Sequence, residues 1–402
     1  MEKKNIILII RRGPLEIEWI LPVLNELYQK KFDIFVYFNN YKCFNLVKES
    51  KSVFKNLNKI SKIFYVQKKT DFLFEKILRK ISVILSLKKI EIFFSDKIHS
   101  FENLLKKLRI QNINNVSYVL SEYGNLTYTL ELLSKISPKN RPKIVQYPAA
   151  PTVNLDNDKR IKETQAGKIA RLKIFADLIL INSSKALAYW KLYNLNKYAQ
   201  IKVVGVPNFD KKILKKKKNK KNKKKILLAL NDIELHKLLP GELDLFKRCL
   251  NLFFEEIKKF RNVYVVLKQH PNKPLDIEKY LNKKFIYQIS KKDMLDEIND
   301  TNILVTQFKT SATVYGPLYK LPTISWPNIF KGAYKENKDP YAELGVTYET
   351  KNIKDLIKKL NLAIKHPNNV IWKLQQKNFL KRFNSNGSPI KKVILELEKL
   401  SN

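Results

Sequence analysis

Imidazole, ammonium and hydroxyl groups gathered at one place make a phosphate site, because they supply positive charge and short hydrogen bonds to its oxygens. The chain has four histidines, and one stands in such company. In "VVLKQHP" (265–271) an apolar, β-branched run stops at Lys268 and His270, and Pro271 holds His270 in extended geometry. Further along, "KTSAT" (309–313) follows a second apolar run and opens a helical pattern. Hydroxyls at a helix start cap free backbone N–H groups, and those N–H groups with the positive helix end also take phosphate oxygens. Lys268, His270, Thr310, Ser311 and Thr313 are therefore the candidate phosphate ligands. A second His-Pro, His366-Pro367, ends an amphipathic pattern and reads as a helix stop.

The complementary chemistry is a carboxylate that takes a proton from a hydroxyl. Glu122, in "VLSEYGN" (119–125), lies just beyond an apolar run, and Gly124 allows a tight turn after it. Glu122 is the first choice for such a base, with Glu16 and Glu18 as the weaker alternative. Arg11, Arg12 and Gly13 follow the first apolar run and suit acceptor or anion binding. "RRGPLE" lacks the glycines of a dinucleotide fingerprint or a Walker loop. Cys43 and Cys249 read as reduced structural thiols, and the histidines and cysteines show no H-x-x-x-H or C-x-x-C spacing, so no metal site is expected.

These residues need a scaffold that ends strands beside one another. Apolar runs at 5–10, 32–38, 62–67, 116–120, 143–148, 176–182 and 201–207 read as buried strands. Helical patterns follow Gly13-Pro14 and cover 71–107, 126–135, 158–173 and 184–193. After a low-complexity basic run, "KKILKKKKNKKNKKK" (211–225), the alternation restarts. Strands are predicted at 226–231, 262–268, 284–289, 301–308 and 322–326. Helices are predicted at 241–259, 292–300, 309–320, 352–366 and 389–400. Right-handed β-α-β crossovers make the strands parallel. The reading is α/β: two doubly wound domains, 1–207 and 226–402, joined by a solvated Lys-rich linker over 208–225. Such folds bind ligands beyond the carboxyl ends of the strands, which places the site in the cleft the two domains face.

Bulk composition agrees with two ordered domains. The chain has 402 residues, 44% of them hydrophobic and 11% aromatic, which excludes an unfolded chain. Lys+Arg number 78 against 37 Asp+Glu, a net charge of +41 that attracts phosphorylated substrates, anionic headgroups or nucleic acid. Lysine is spread along the whole chain, as AT-rich coding also gives, and aromatics fall inside apolar runs instead of interleaving with basic residues. Specific nucleic-acid binding is therefore not expected, and a non-catalytic nucleic-acid-binding protein is the rival from another class. "NIILII" (5–10) is too short for a signal peptide or a span, and Lys88-Lys89 interrupts "ISVILSLKKIEIFF" (81–94), so no transmembrane helix is expected. A cytoplasmic protein with peripheral attachment to an anionic membrane surface stays open.

"VVLKQHP" followed by "ILVTQFKTSATVYGPLYKLPTISW" (303–326) resembles the C-terminal domain of GT-B-fold bacterial surface-polysaccharide glycosyltransferases. These include sialyltransferase- and Kdo-transferase-like enzymes and the related CDP-glycerol glycerophosphotransferases. Residues 176–210 are similar to the close of their N-terminal domain, where a Gly-x-Pro precedes the linker. The resemblance implies two Rossmann-like domains, acceptor-side first and nucleotide-donor-side second. It implies that His270, Thr310 and Ser311 contact the nucleotide phosphate. "SEYG" (121–124) resembles the acidic-acidic-Gly motif of the bacterial sialyltransferases, with Tyr123 in place of the second acid. Tyr315 stands near where many relatives carry a ribose-binding Glu, and "VQYPAAPTV" (145–153) lacks their His-Gly. The activity implied is inverting, metal-independent transfer of a sugar from a nucleotide sugar, CMP- or UDP-linked, to a surface glycan or lipid-linked acceptor. No cofactor is implied beyond that co-substrate. A CDP-polyol phosphotransferase and a nucleotide-sugar 2-epimerase are the alternatives on the same fold.

Overall fold

The computed structural model describes residues 4–11, 13–65, 101–122, 128–148, 175–184, 187, 199–210, 223–231, 239–270, 276–282, 284–308, 310–330, 339–383 and 387–401. The chain forms two compact units, Met1–Asp210 with Asn386–Asn402, and Lys211–Ser385.

The sheet of the first unit contains β1 (Asn5–Ile10), β2 (Asp33–Phe38), β3 (Ser61–Tyr65), β4 (Val116–Glu122), β5 (Lys143–Tyr147), β6 (Leu178–Ile181) and β7 (Gln200–Val203). Their order is β3-β2-β1-β4-β5-β6-β7, and every pairing is parallel. Strands covered on both faces can be apolar throughout, which is why Ile6 to Ile10 form an unbroken buried run. One face carries Ile7, Ile9, Val119, Ile144 and Ile179 against Leu104, Leu105 and Leu108 of helix Phe101–Leu108, and against Leu130 and Leu133 of helix Tyr128–Lys135. The other face meets helix Pro14–Gln29, which buries Ile17, Ile20, Val23, Leu24 and Leu27 at helical spacing behind a proline at its first position.

The second unit contains β8 (Lys224–Ala229), β9 (Val263–Lys268), β10 (Gln288–Ile289), β11 (Ile303–Thr306) and β12 (Thr323–Ser325), in the order β10-β9-β8-β11-β12 and again all parallel. Helix Glu242–Ile257 packs Phe246, Leu250, Phe253 and Phe254 into its core, and helix Ile353–Lys365 adds Leu356 and Leu360. In both sheets the first strand lies between the second and the fourth. The crossovers therefore diverge at β1/β4 and at β8/β11, and in doubly wound sheets the carboxyl ends at such a divergence are where ligands bind.

Several boundaries differ from the sequence reading. The closing helix, Pro389–Ser401, belongs to the first unit although it follows the second in sequence. The Tyr118 hydroxyl donates to the Leu397 carbonyl at 2.7 Å, and Asp210 accepts from the Ser388 hydroxyl. The linker is shorter at both ends. Pro207–Phe209 is a buried 3-10 turn, and Lys224 and Lys225 are strand residues, with Lys225 only 2% exposed. Lys225 is held by Glu297 and by Asp300 Oδ1 at 2.5 Å, so this end of the lysine run is an internal ion pair. The strand expected over 284–289 is only Gln288–Ile289. Helices Tyr41–Glu49, Lys51–Ile60 and Val370–Phe383 were not anticipated. The helix patterns at 158–173 and, for most of their length, at 71–107 and 184–193 lie outside the described residues.

The helix expected over 309–320 is a 3-10 turn, Ser311–Val314, plus one α-turn, Tyr315–Leu318. Lys320 ends it in the left-handed region (φ 59), and the Leu321 N–H returns to the Gly316 carbonyl at 2.8 Å. Gly316 is pressed against β12: a Cβ there would lie 1.8 Å from Thr323 Oγ1 and 2.9 Å from its Cβ. Gly316→Ala is therefore expected to overpack this contact and cost about 1–3 kcal/mol, read as a lower urea midpoint at unchanged m-value.

Candidate functional site

At the β1/β4 divergence the backbone of Arg11 is held from two sides. Its N–H donates to Glu16 Oε2 at 2.9 Å, and its carbonyl accepts from Asn40 Nδ2 at 3.0 Å. Asn40 also caps helix Tyr41–Glu49, accepting the Cys43 N–H at 2.7 Å. Gly13 follows with φ 140 and ψ −154, a backbone state that glycine adopts without a Cβ clash. This turn drops Glu16 into the first turn of the helix, fully buried, where the helix dipole favours a carboxylate.

Glu122 closes β4 at 1% exposure and lies opposite Tyr147, which closes β5 at 0% exposure. Residues opposite one another in register project from the same face. Over that face comes Trp19, stacked on the Tyr147 ring with centroids 5.2 Å apart. Trp19 Nε1 donates to Asn182 Oδ1 at 2.8 Å, just after β6. One helix and three consecutive strand ends thus bring Glu16, Trp19, Glu122, Tyr147 and Asn182 together. The Tyr147 hydroxyl has no hydrogen-bond partner among the described residues, an arrangement that costs about 1–3 kcal/mol for a buried polar group. Burial first, and then the charges of Glu16 and Glu122, push its pKa well above the ordinary 10.0 and keep it a neutral donor. Burial, with Glu16 second, pushes the Cys43 thiol up to about 12, which makes it inert at neutral pH.

In the second unit three strand ends are laced in order. The Leu230 N–H donates to the Lys268 carbonyl at 2.9 Å, and the Gln307 N–H to the Ala229 carbonyl at 2.9 Å. The Asn231 N–H then reaches Gln307 Oε1 at 2.7 Å. Lys268 and His270 leave β9 beside this lattice, both half-buried, and Thr310 and Ser311 form the turn beyond β11. Thr310 caps that turn, its hydroxyl accepting the Ala312 N–H at 3.4 Å.

Thr313 lies deeper than Thr310 and Ser311. It is fully buried, and its hydroxyl lies 2.9 Å from the Thr310 carbonyl and 3.0 Å from Thr306 Oγ1. Its hydroxyl is directed into the turn, toward Thr306 and the Thr310 carbonyl. Arg11 is exposed just after β1, while Arg12 and Gly124 lie outside the described residues. Asn231, Gln307, Tyr147, Trp19 and Asn182 were missed. Three of them carried a signal: Asn182, Asn231 and Gln307 are the first side-chain amides after apolar strand runs. Among the described residues, no group of three His, Cys, Asp or Glu side chains is placed to hold a metal ion, and no helix is long and apolar enough to cross a membrane.

No family model matches the chain, and no curated protein matches it by sequence. Solved structures do match over its whole length. It is similar to the Methanocaldococcus jannaschii UDP-GlcNAc 2-epimerase in complex with UDP-GlcNAc and UDP (TM-score 0.55, 15% identity, 98% of this chain and 99% of that one). The fold is GT-B. Two further GT-B structures are as similar. One is the calicheamicin glycosyltransferase CalG4, with TM-score 0.56, 12% identity, and 100% and 98% coverage. The other is Medicago truncatula UGT71G1 complexed with UDP-glucose, with TM-score 0.56, 11% identity, and 100% and 99% coverage.

Proposed function

We propose that this chain is an inverting, metal-independent glycosyltransferase that moves a sugar from a CMP- or UDP-sugar to a surface glycan or lipid-linked acceptor. The observation that carries the proposal is the division of chemistry between the two switch points. A buried carboxylate, Glu122, closes β4 in the first unit. A cationic and hydroxyl-bearing edge of Lys268, His270, Thr310 and Ser311 closes β9 and β11 in the second. The similar structures that carry UDP-glucose, or UDP-GlcNAc and UDP, support a nucleotide sugar as the co-substrate.

The step is one displacement. Glu122 takes the proton of the acceptor hydroxyl, and that oxygen bonds to the anomeric carbon as the bond to the donor phosphate breaks. The bonding pair leaves on the phosphate, where Lys268, His270 and the 310–311 turn stabilise the new negative charge. A single attack from the opposite side inverts the anomeric centre. No metal or other cofactor is needed in this reading. The net charge of +41 suits an anionic acceptor and a cytoplasmic site on an anionic membrane face.

A 2-epimerase is the second reading, favoured by the likeness to the M. jannaschii enzyme. Product analysis separates the two. Incubated with a nucleotide sugar and no acceptor, an epimerase changes the sugar's configuration with the nucleotide still attached. A transferase releases nucleotide only as acceptor is glycosylated. A product carrying phosphate with a polyol would instead mark a CDP-polyol phosphotransferase.

A further inference from the structure

Tyr147 holds a donor that none of the described residues uses. Its hydroxyl has no hydrogen-bond partner among the described residues although the residue is fully buried. The ring needs no hydroxyl for its packing, because Trp19 stacks on its face. Phenylalanine would fill the same space without burying a polar group. The hydroxyl is placed among acids. Glu122 projects from the same face of the sheet directly opposite, and Glu16 lies three residues before Trp19 on the helix face that covers the ring. A phenol kept neutral between two buried carboxylates, and bonded to neither, suits a ligand that offers both an acceptor oxygen and a proton. A sugar or polyol hydroxyl offers both.

We infer that Tyr147 is an acceptor-binding residue that donates its phenolic hydrogen bond to the oxygen of the attacking hydroxyl while Glu122 receives that hydroxyl's proton. Tyr147 keeps its own proton throughout, and the new bond forms between the acceptor oxygen and the anomeric carbon as the phosphate departs. The inference rests on the glycosyl-transfer reading. It adds the group that orients the nucleophile, and it defines the acceptor atom as a neutral hydroxyl.

Tyr147→Phe tests it with two readouts. The first is urea unfolding, which needs no substrate. The expected midpoint equals or exceeds that of the wild type, because only an unpaired buried hydroxyl is removed. A lower midpoint would show a structural role and overturn the inference. The second uses glycerol as the acceptor probe in donor-consumption assays. Glycerol is expected to accelerate wild-type consumption of the nucleotide sugar saturably, with the half-saturating concentration raised about tenfold in Tyr147→Phe and the KM for the donor unchanged. Equal glycerol dependence in the two proteins, or none in a wild type that consumes donor, overturns the inference. A wild type that neither binds nor consumes any nucleotide sugar defeats the transferase reading itself, while the unfolding comparison still judges the hydroxyl.

Discussion

Glu122→Gln is expected to fold normally and to lose about 10²- to 10⁴-fold in kcat, the usual range for a removed general base. The substitution keeps the size and shape of a side chain that is 1% exposed at the end of β4. It removes a negative charge beside the buried Tyr147, whose pKa the charges of Glu16 and Glu122 both raise, so stability should not suffer. What it removes is the capacity to accept a proton. Steady-state kinetics should show kcat falling with the donor KM unchanged. Glu16→Gln supplies the contrast. Glu16 already accepts the Arg11 N–H at 2.9 Å, a bond an amide oxygen can keep, so a much smaller effect is expected. If Glu16→Gln abolishes turnover and Glu122→Gln does not, the base is Glu16.

Lys225→Met should destabilise the chain by about 3–5 kcal/mol, the largest folding effect expected of any single substitution considered. Lys225 is 2% exposed and its partner Glu297 is 4% exposed. The ammonium also reaches the Glu297 carbonyl at 3.2 Å and Asp300 Oδ1 at 2.5 Å. Burial pulls the Lys225 pKa down, but the hydrogen bonds and charges of Asp300 and Glu297 more than offset this and hold it above 10.5. A raised folded pKa gives stability that is full below the unfolded value and is lost as pH climbs through the folded one. The pair therefore contributes fully at neutral pH and fades only above about pH 10.5. Methionine matches the lysine stem but leaves the Glu297 carboxylate buried and uncompensated. Chemical denaturation of Lys225→Met and of Lys225→Met/Glu297→Leu separates packing from charge. The double variant should recover most of the loss, because two apolar groups replace a broken pair.

The sequence made the sheets legible because buried parallel strands are written as unbroken apolar runs, and Ile6–Ile10, Ile226–Ala229 and Ile303–Val305 are such runs. It also marked Lys268, His270 and Glu122, since a charged or titratable group directly after such a run must sit at a carboxyl edge. Other features depend on partners distant in sequence. Lys225 looks like one more residue of a solvated lysine run, and only Glu297 and Asp300, brought close by the fold, make it internal. Nothing local in Pro389–Ser401 says which unit it will cover, because its partner Tyr118 is hundreds of residues away. Thr313 has the same chemistry as Thr310 and differs only in facing Thr306 beneath the turn. Tyr147 reads as one more strand aromatic until its register with Glu122 and its stack on Trp19 are known.

Thermal unfolding in the presence of CMP, CDP, UDP, GDP and their sugar conjugates, without metal, tests the central claim most directly. A ligand that binds only the folded chain stabilises it by RT ln(1 + [L]/Kd), about 2.7 kcal/mol at one hundred times Kd. The account predicts that a cytidine or uridine nucleotide raises the melting temperature of the wild type and leaves that of His270→Ala unmoved. If no nucleotide moves the wild type in moderate salt, or if His270→Ala responds equally, the second unit does not hold a donor phosphate at His270 and the assignment of the site is wrong.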